Sequence, residues 1–407
     1  MDSGDLAWVL ISAALVLFMT PGLAFFYGGM DRSRNVLNML MMNFWCVLVI
    51  PILWVVVGYS LAQVPFDNDL LGGFDAFFLD GIGLDDNGGQ LATIAYLGMF
   101  AAITPALISG AVADRMKFSA WAIFAPVWVL FVYCPVFKWV FGGFLGQRGS
   151  LDFAGGTAIH VNAGIAALAA VLVLGKRKGW PHDGHPPHSM PLVMLGTGIL
   201  WFGWFGFNAG SALGANGQAA QAFMNTFLAA AAAGLSWCLV ERFRDGHFTN
   251  LGAASGIVAG LVAITPAAGY VSGPAPIVIG LIAGVVCCFA VRVKFKAGFD
   301  DALDVVGVHL VGGLVGSLLI GFFANPDFFT GTFREGIFYG GSVRLLAEQL
   351  LANAVTILYS FVVTVVILVI LKRTIGIRVS DEDETMGLDA SEHGETAYHS
   401  SNVMGGL

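Results

Sequence analysis

The distribution of apolar residues constrains the fold of this chain more than any other feature of its sequence. Mainly apolar runs lie at residues 6–30, 36–63, 90–112, 119–141, 155–175, 191–213, 219–240, 251–272, 275–291, 302–324 and 343–371. A helix needs about 20 such residues to cross the hydrocarbon core of a bilayer. The runs are too long, and too free of alternating polarity, for the strands of a membrane barrel. The sequence therefore predicts an all-α integral membrane protein with eleven transmembrane helices.

The composition leads to the same class of protein. Apolar residues make up 57% of the 407 residues and charged residues only 11%, whereas about a quarter of the residues in a soluble domain are charged. A soluble enzyme and a disordered protein are therefore largely excluded. The formal net charge of −8 also argues against a nucleic-acid partner, because the phosphate backbone attracts basic proteins.

The basic residues predict the orientation of the spans. If the first connection between runs is cytoplasmic, all 19 Lys and Arg residues fall in cytoplasmic segments except Lys138, Arg148, Arg334 and Arg344. The first long outer loop, at 64–89, contains no Lys or Arg. Cytoplasmic segments of membrane proteins carry an excess of basic residues. The pattern predicts an outside N-terminus, an odd number of spans and a cytoplasmic C-terminus.

The composition changes near residue 374, which divides the chain into two predicted parts. Residues 1–373 form the transmembrane domain, and residues 374–407 form a cytoplasmic C-terminal tail that is acidic and polar. Composition alone favours disorder for such a tail, since it has little apolar surface to bury.

Two histidines at membrane depth share a local pattern. His160, in the fifth run, and His309, in the tenth, each follow a β-branched residue and precede a glycine by four positions (Gly164 and Gly313). Helices 1–5 and 6–10 would then form an inverted repeat, whose site lies near the bilayer midplane. The alternative is two unrelated histidines, each bonded to a backbone carbonyl. The matched positions favour a pair.

A pair of buried imidazoles limits the chemistry of the pore. Two neutral rings can share one hydrogen bond, whereas two charged rings would repel each other in an apolar lining. Such a pair suits a small neutral hydrogen-bonding solute or a proton relay. It does not suit a bare metal cation, which prefers oxygen ligands.

Two further spans carry aromatic side chains on one face. Trp204, Phe207 and Ser211 lie at helical spacing in the sixth run, and Tyr96 and Phe100 do so in the third. The default interpretation is lipid contact or packing. The functional one is an outer vestibule in which aromatic faces and a hydroxyl hold a small cation.

Three histidines in the loop between the fifth and sixth runs have the spacing of a metal motif. They are His182, His185 and His188. The prolines at 181, 186 and 187 indicate a solvated linker instead. We therefore predict no metal site, and no feature of the sequence predicts a cofactor.

Long segments of the sequence resemble the ammonium transporter family (Amt/Mep/Rh), and within it the bacterial and archaeal Amt branch. The matching segments are FMTPGLAFFYGGM at 18–30, ALISGAVADRMKFSA at 106–120, LDFAGGTAIHVNAG at 151–164, WFGFNAGS at 204–211, FDDALDVVGVHLVGG at 299–313 and GIRVSDEDETMGLDASEHGETAY at 376–398. They occur in order over nearly the whole chain. The resemblance implies transport of ammonium or ammonia rather than enzyme activity.

The resemblance assigns expected roles to the pore residues. His160 and His309 match the twin histidines that conduct ammonia, Trp204 matches a pore-lining tryptophan, and Tyr27 matches a tyrosine near the inner pore. Ammonium would lose a proton at the outer mouth, and neutral ammonia would then pass the histidines.

The resemblance also implies an outer recruitment site with a gate beneath it. Phe100 and Ser211 match recruitment residues, and Phe100 with Phe207 matches a stacked gate. Phe141 stands where the family usually has tryptophan, and Trp139 is two positions away. Asp152 matches an aspartate that supports the site. It precedes a glycine-rich helix start, so we favour a capping role over direct coordination of ammonium.

The implied partners follow the family. They are membrane lipid, two further copies of the chain in a homotrimer, and a PII-family signal protein at the cytoplasmic tail. The expected location is the cell (inner) membrane. The alternative function is an ammonium sensor that acts through a cytoplasmic partner. A membrane enzyme ranks last, because no catalytic motif lies at membrane depth.

Overall fold

The computed structural model describes residues 1–62, 70–84, 88–328 and 333–398, and these contain helices but no extended strand. Ten helices are long and apolar enough to cross a membrane. We number them with the shorter α8 in chain order: α1 Ser3–Met30, α2 Val36–Ala62, α3 Gly89–Val112, α4 Phe118–Arg148, α5 Gly156–Leu174, α6 Met190–Ala212, α7 Gly217–Asp245, α8 Asn250–Ile264, α9 Ala275–Ala297, α10 Val306–Phe323 and α11 Arg344–Thr374. The chain is thus a multi-pass membrane protein.

The eighth predicted run differs from the others. Its helix, Asn250–Ile264, has 15 residues, whereas the run extends to 272. Pro266 follows the helix closely, and the residue before a proline is disfavoured in helical conformation. Residues 265–270 form turns instead. Ten long helices are confirmed, and an eleventh crossing stays a prediction.

The helices differ strongly in how far they are enclosed. In the most apolar segment of α5, 83% of the residues are buried, compared with 28% in α2 and 33% in α11. Because a side chain that faces lipid is as well solvated as one in the core, helices at the periphery need no polar outer face. The histidine-bearing α5 is therefore a central helix of the bundle.

Four π-helical turns interrupt or open the long helices. Trp54–Gly58 and Val129–Tyr133 each begin three residues after a proline, at Pro51 and Pro126. A proline removes one backbone hydrogen bond, and a π-turn is one way in which a helix adapts. The other two turns open α5 and α10 and carry the histidines.

The described part of the tail docks on the loops of the membrane domain. The N–H of Val379 donates to Arg115 O at 3.0 Å, and the N–H of Lys117 donates to Ile377 O at 3.0 Å. Two short helices follow, α12 at Asp381–Met386 and α13 at Leu388–His393. Disorder, which composition alone favours, is therefore wrong for the described part of the tail.

The acidic run of the tail contacts the membrane domain through Glu384. Its carboxylate accepts hydrogen bonds from Lys178 N and Arg378 Nη2, each at 2.6 Å. Among the described residues, no ion pair or hydrogen bond joins the run Asp381–Glu384 to the basic segment 292–296. Leu388 is fully buried, whereas Tyr398 is half-exposed and bonds through its hydroxyl to His188 Nε2 at 2.9 Å.

Candidate functional site

The structure places the two intramembrane histidines against each other in the centre of the bundle. The Nδ1 atoms of His160 and His309 lie 3.3 Å apart, and their rings are nearly parallel with centroids 5.3 Å apart. Both residues are almost completely buried. The pair lies where the π-helical openings of α5 and α10 meet.

Two glycines allow the histidine helices to approach this closely. A β carbon on Gly313 would lie 2.9 Å from Val161 Cγ2, and one on Gly164 would overlap the backbone nitrogen of Leu310. Each glycine thus faces the residue that follows the histidine of the other helix. Any larger side chain at these positions would force α5 and α10 apart.

The hydrogen bonds around the pair indicate which ring nitrogens carry protons. The Tyr27 hydroxyl donates to Leu107 O at 3.1 Å, and its oxygen lies 3.5 Å from His309 Nε2. Since that hydroxyl has one proton, we infer that His309 Nε2–H points to Tyr27 and that His160 Nδ1–H donates to His309 Nδ1. His160 Nε2 has no partner among the described residues. Its lone pair is then free to accept a proton or an N–H.

Two aspartates hold the π-helical turns in place. The Asp152 carboxylate accepts four backbone N–H groups, from residues 155 to 158, at 2.7–3.0 Å. Asp301 accepts two, from Val305 and Val306, at 3.1 and 2.7 Å. Each aspartate precedes its histidine by eight residues. These carboxylates satisfy N–H groups that a helix start leaves unpaired.

A narrow cavity adjoins the histidine pair. Apart from His160, His309 and Trp204, its lining is apolar, and the space open to the centre of a water-sized sphere is about 10 Å³. One water molecule needs about this volume. The Trp204 indole stacks on His160 at 5.3 Å and donates to Thr265 Oγ1 at 2.8 Å. The cavity holds one small molecule at a time.

A wider cavity lies on the other side of Phe207. The space in it that is open to the centre of a water-sized sphere is about 240 Å³. Phe100, Phe141 and Ser211 contribute to its lining. Ser211 Oγ donates to Phe207 O at 2.9 Å and lies 3.1 Å from the Tyr96 hydroxyl. Because that hydroxyl also has backbone acceptors at 2.8 and 3.0 Å, a lone pair of Ser211 can accept a further donor. Asp152 does not line this cavity.

Trp139 points away from this outer cavity. Its indole donates to Leu70 O at 2.6 Å and packs on Tyr359 with ring centroids 4.6 Å apart. The aromatic side chain that α4 presents to the outer cavity near this position is therefore Phe141.

Phe100 and Phe207 separate the two cavities. Their rings stack with centroids 4.1 Å apart and an interplanar angle of 15°. Phe100 lines the outer cavity and Phe207 the histidine cavity. No more than 2% of either residue is exposed. A molecule that passes between the cavities must displace at least one ring.

A third cavity of about 200 Å³ lies at the end of the bundle where the tail docks, which we call the inner end, and a buried network of charges contributes to its lining. Asp114 accepts Arg32 Nε at 2.9 Å and Arg177 Nη1 at 3.0 Å, and it also bonds to Asn35 Nδ2. Arg177 also pairs with Asp300 at 2.8 Å. The network joins four inner loops.

The electrostatics of this network follow from its burial and its pairing. Burial opposes ionisation of Asp114, but its hydrogen bond with Asp31 and the guanidinium groups of Arg177 and Arg32 lower the pKa of Asp114 well below its ordinary value. Burial likewise opposes ionisation of Asp300, and the hydrogen bonds from Arg177 still lower its pKa. Both carboxylates are therefore charged at neutral pH.

Several of these residues were not predicted from the sequence. One is Asp301, which holds the π-helical turn that carries His309. The equal spacing of eight residues, from Asp152 to His160 and from Asp301 to His309, would have identified it. No local signal points to Thr265 as the partner of Trp204, since the two lie in different helices.

Comparison with known proteins gives the family of this chain. The model of the ammonium transporter family matches residues 7–398. The ammonium transporter of Mycobacterium tuberculosis (strain H37Rv) is 50% identical over 431 residues, which cover 98% of this chain and 90% of the relative. That of Aquifex aeolicus is 50% identical over 409 residues, with 98% and 94% covered.

Solved structures show the same fold. Candida albicans Mep2 aligns with a TM-score of 0.89 and 36% identity, over 98% of this chain and 91% of that one. A structure titled "Sensor Amt Protein" aligns with a TM-score of 0.89 and 29% identity, over 96% and 98%. The fold and the site define a membrane transporter. The chain belongs to the ammonium transporter family, and this membership supports ammonium transport.

Proposed function

We propose that the protein moves ammonium nitrogen across the cell (inner) membrane. Ammonium is captured in the outer aromatic cavity and loses a proton, and ammonia passes the Phe100–Phe207 gate and the His160–His309 pair. The observation that carries this proposal is the stacked gate, which divides a roomy cavity with a hydroxyl from a narrow apolar one with two imidazoles.

The narrow cavity favours a neutral solute for energetic reasons. A cation that leaves water for an apolar lining loses its hydration, and the penalty is many kcal/mol unless fixed charges or oxygens replace the water. The cavity around Trp204 and the histidines contains no carboxylate. Ammonium avoids this penalty when it loses a proton and continues as neutral ammonia, whereas potassium has no proton to lose.

The outer cavity provides the capture step. The ring faces of Phe100 and Phe141 attract a small cation, and the Ser211 oxygen accepts an N–H. The four N–H groups on Asp152 favour a structural role, in which it fixes the turn that carries His160. Phe141 is a weaker cation–π partner than a tryptophan would be.

The reciprocal packing of α5 and α10 supports an inverted repeat of helices 1–5 and 6–10. The distribution of basic residues supports eleven spans with an outside N-terminus and a cytoplasmic C-terminus. The family resemblance supports a homotrimer with one pore in each subunit. The docked tail supports regulation from the cytoplasm, by a PII-family signal protein.

An ammonium sensor is the second candidate. The observation in its favour is the likeness to the structure titled "Sensor Amt Protein", together with a tail that contacts the loops below the pore. A sensor would bind ammonium and change the tail without flux.

Currents in proteoliposomes on a solid-supported membrane test the proposal. Ammonium should give currents or uptake well above those of empty liposomes, and potassium should give none. Varying the pH on each side reports whether the proton crosses with ammonia. Binding of ammonium without any flux would favour the sensor and contradict transport.

A further inference from the structure

A buried carboxyl group, Asp31, lies at the inner end of α1. Only 2% of the residue is exposed, and its backbone N–H donates to Tyr27 O at 2.9 Å. One side-chain oxygen, Oδ1, accepts the Arg32 N–H at 2.7 Å. The other, Oδ2, receives no hydrogen bond from any donor among the described residues. A carboxylate buried in this way is costly unless it holds a proton or a cation.

The charges around Asp31 do not supply that cation. The guanidinium groups of Arg32 and Arg177, and the Asn35 amide, all bond to Asp114. The guanidinium groups near Asp31 are therefore hydrogen-bonded to a second carboxylate, that of Asp114. Burial raises the pKa of Asp31 well above its ordinary value, and the Asp114 carboxylate raises it further. A buried carboxyl group beside a charged carboxylate favours its neutral, protonated form.

Asp31 also lies where a molecule leaves the pore. It lines the inner cavity together with Met30, Leu303 and Asp304. Tyr27, one turn above it on α1, brings its hydroxyl to 3.5 Å from His309 Nε2. The cavity that Asp31 lines thus lies about one helical turn of α1 beyond the level of the histidine pair.

We propose that Asp31 is the proton donor at the inner mouth, where ammonia becomes ammonium. The inference rests on the proposed function, because it requires ammonia to emerge from the pore. The O–H bond of the Asp31 carboxyl breaks and an N–H bond forms on ammonia, which gives an ammonium ion and a carboxylate. Ammonium leaves through the inner cavity. The carboxylate regains a proton from a hydronium ion in the cytoplasmic water.

Several charged or titratable groups lie around Asp31 and the inner cavity. They belong to four loops and to the end of α9: Arg32, Asp114, Arg177, Asp183, His185, Lys294, Asp300 and Asp304. The His188 ring also contacts Asp31, since its Nδ1 lies 2.9 Å from the Asp31 backbone oxygen. Lys294 pairs with Asp304 at 2.7 Å, so it does not neutralise Asp31. The ammonium ion formed in this way stays on the cytoplasmic side, because transfer of an ion back into the apolar pore is unfavourable.

The variant Asp31→Asn tests the donor role. An asparagine keeps the size of the side chain and can donate an N–H to Asp114, but it cannot release a proton. Inward ammonium flux should fall by roughly a hundredfold or more and lose its dependence on internal pH. Asp183→Asn removes an exposed carboxylate from the rim of the same cavity and should behave as the wild type. Asp31→Glu keeps an acid and should retain most of the flux.

Infrared spectroscopy gives a second measurement that does not depend on transport. The wild type at neutral pH should show the carbonyl band of a protonated carboxylic acid, and Asp31→Asn should lack it. A missing band in the wild type would overturn the proposal. If the wild type conducts and Asp31→Asn is equally active with the same dependence on internal pH, the role of Asp31 is refuted while the proposed function stands. A wild type that does not move ammonium would refute the proposed function as well.

Discussion

The Nδ1 atoms of His160 and His309 lie 3.3 Å apart, and each histidine comes eight residues after an aspartate that holds its π-helical turn. Hydrogen-bond contacts link Tyr27 to His309 and His309 to His160. At the end of this chain, His160 Nε2 has no partner among the described residues. A polar group with this freedom at the centre of an apolar bundle is the expected contact of a small hydrogen-bonding solute.

The first prediction concerns this pair. His160→Ala or His309→Ala should reduce selective ammonium flux far more than it reduces stability, because the polar lining is lost while the surrounding apolar contacts remain. Flux in proteoliposomes and thermal melting in detergent measure the two effects. The exposed loop residue His182 provides the matched control, and His182→Ala should change neither. Wild-type flux and selectivity in the double alanine variant would contradict the proposed pathway.

The second prediction concerns Phe141, which lines the outer cavity. Phe141→Trp should strengthen capture of ammonium, because indole is the better cation–π face, by roughly 0.5–2 kcal/mol at most. The apparent affinity should improve, while the maximal flux stays level or falls. Phe131→Trp, on the exposed side of the same helix, is the control. An unchanged affinity in a folded Phe141→Trp protein would show that this ring does not contact the cation.

The sequence predicts the spans well because the requirement for them is local. Lipid demands about 20 apolar residues in one stretch, and ten of the eleven runs form long helices. The end of α8 was predicted less well, since Pro266 lies inside a run that is apolar throughout. The two histidines could be paired from sequence because a matched glycine accompanies each of them.

The remaining features depend on contacts between distant segments. The path of the tail depends on the backbone of Arg115 and Lys117, whose position only the fold determines. Likewise, Asp31 looks like an ordinary loop residue until Asp114 is found beside it. Polar groups that are satisfied by distant partners leave no periodic signal in the sequence.

The third prediction separates capping from coordination at Asp152. Asp152→Asn keeps the size of the side chain but weakens four hydrogen bonds to the backbone, and loss of a helix cap costs about 1 kcal/mol or more. We expect a lower melting temperature and a lower maximal flux, with little change in apparent affinity. Asp301→Asn should do the same through the other turn. A large loss of ammonium affinity with unchanged stability would instead indicate direct coordination by Asp152.

The fourth prediction concerns the buried network at the inner loops. The lowered pKa values of Asp114 and Asp300 mean that both carboxylates stabilise the fold above the unfolded value of about 3.9. This contribution should be lost as the pH falls through their folded values. Asp114→Asn leaves Arg32 and Arg177 underpaired, and breaking a buried pair typically costs about 3–5 kcal/mol.

Thermal melting in detergent checks this network. Titration of these two carboxylates should change the melting temperature of the wild type little between about pH 5 and 8 and should lower it in strongly acidic buffer. The Asp114→Asn variant should melt at a lower temperature at neutral pH and show a weaker decline. Asp183→Asn, an exposed carboxylate nearby, is the control. Equal melting of the Asp114→Asn variant and the wild type would show that the network does not stabilise the fold.

The last prediction concerns the tail and its proposed PII-family partner. The tail is held by backbone bonds to Arg115 and Lys117 and by the buried Leu388. Removal of everything from Gly376 onward should therefore disturb the inner loops, lower the flux and weaken binding of the cognate PII protein. A shorter truncation, from residue 399, leaves these contacts intact and serves as the control. Pull-down and flux assays with both truncations decide the matter. If the longer truncation keeps full flux and binds the partner as tightly as the intact chain, the tail is only a solvated extension.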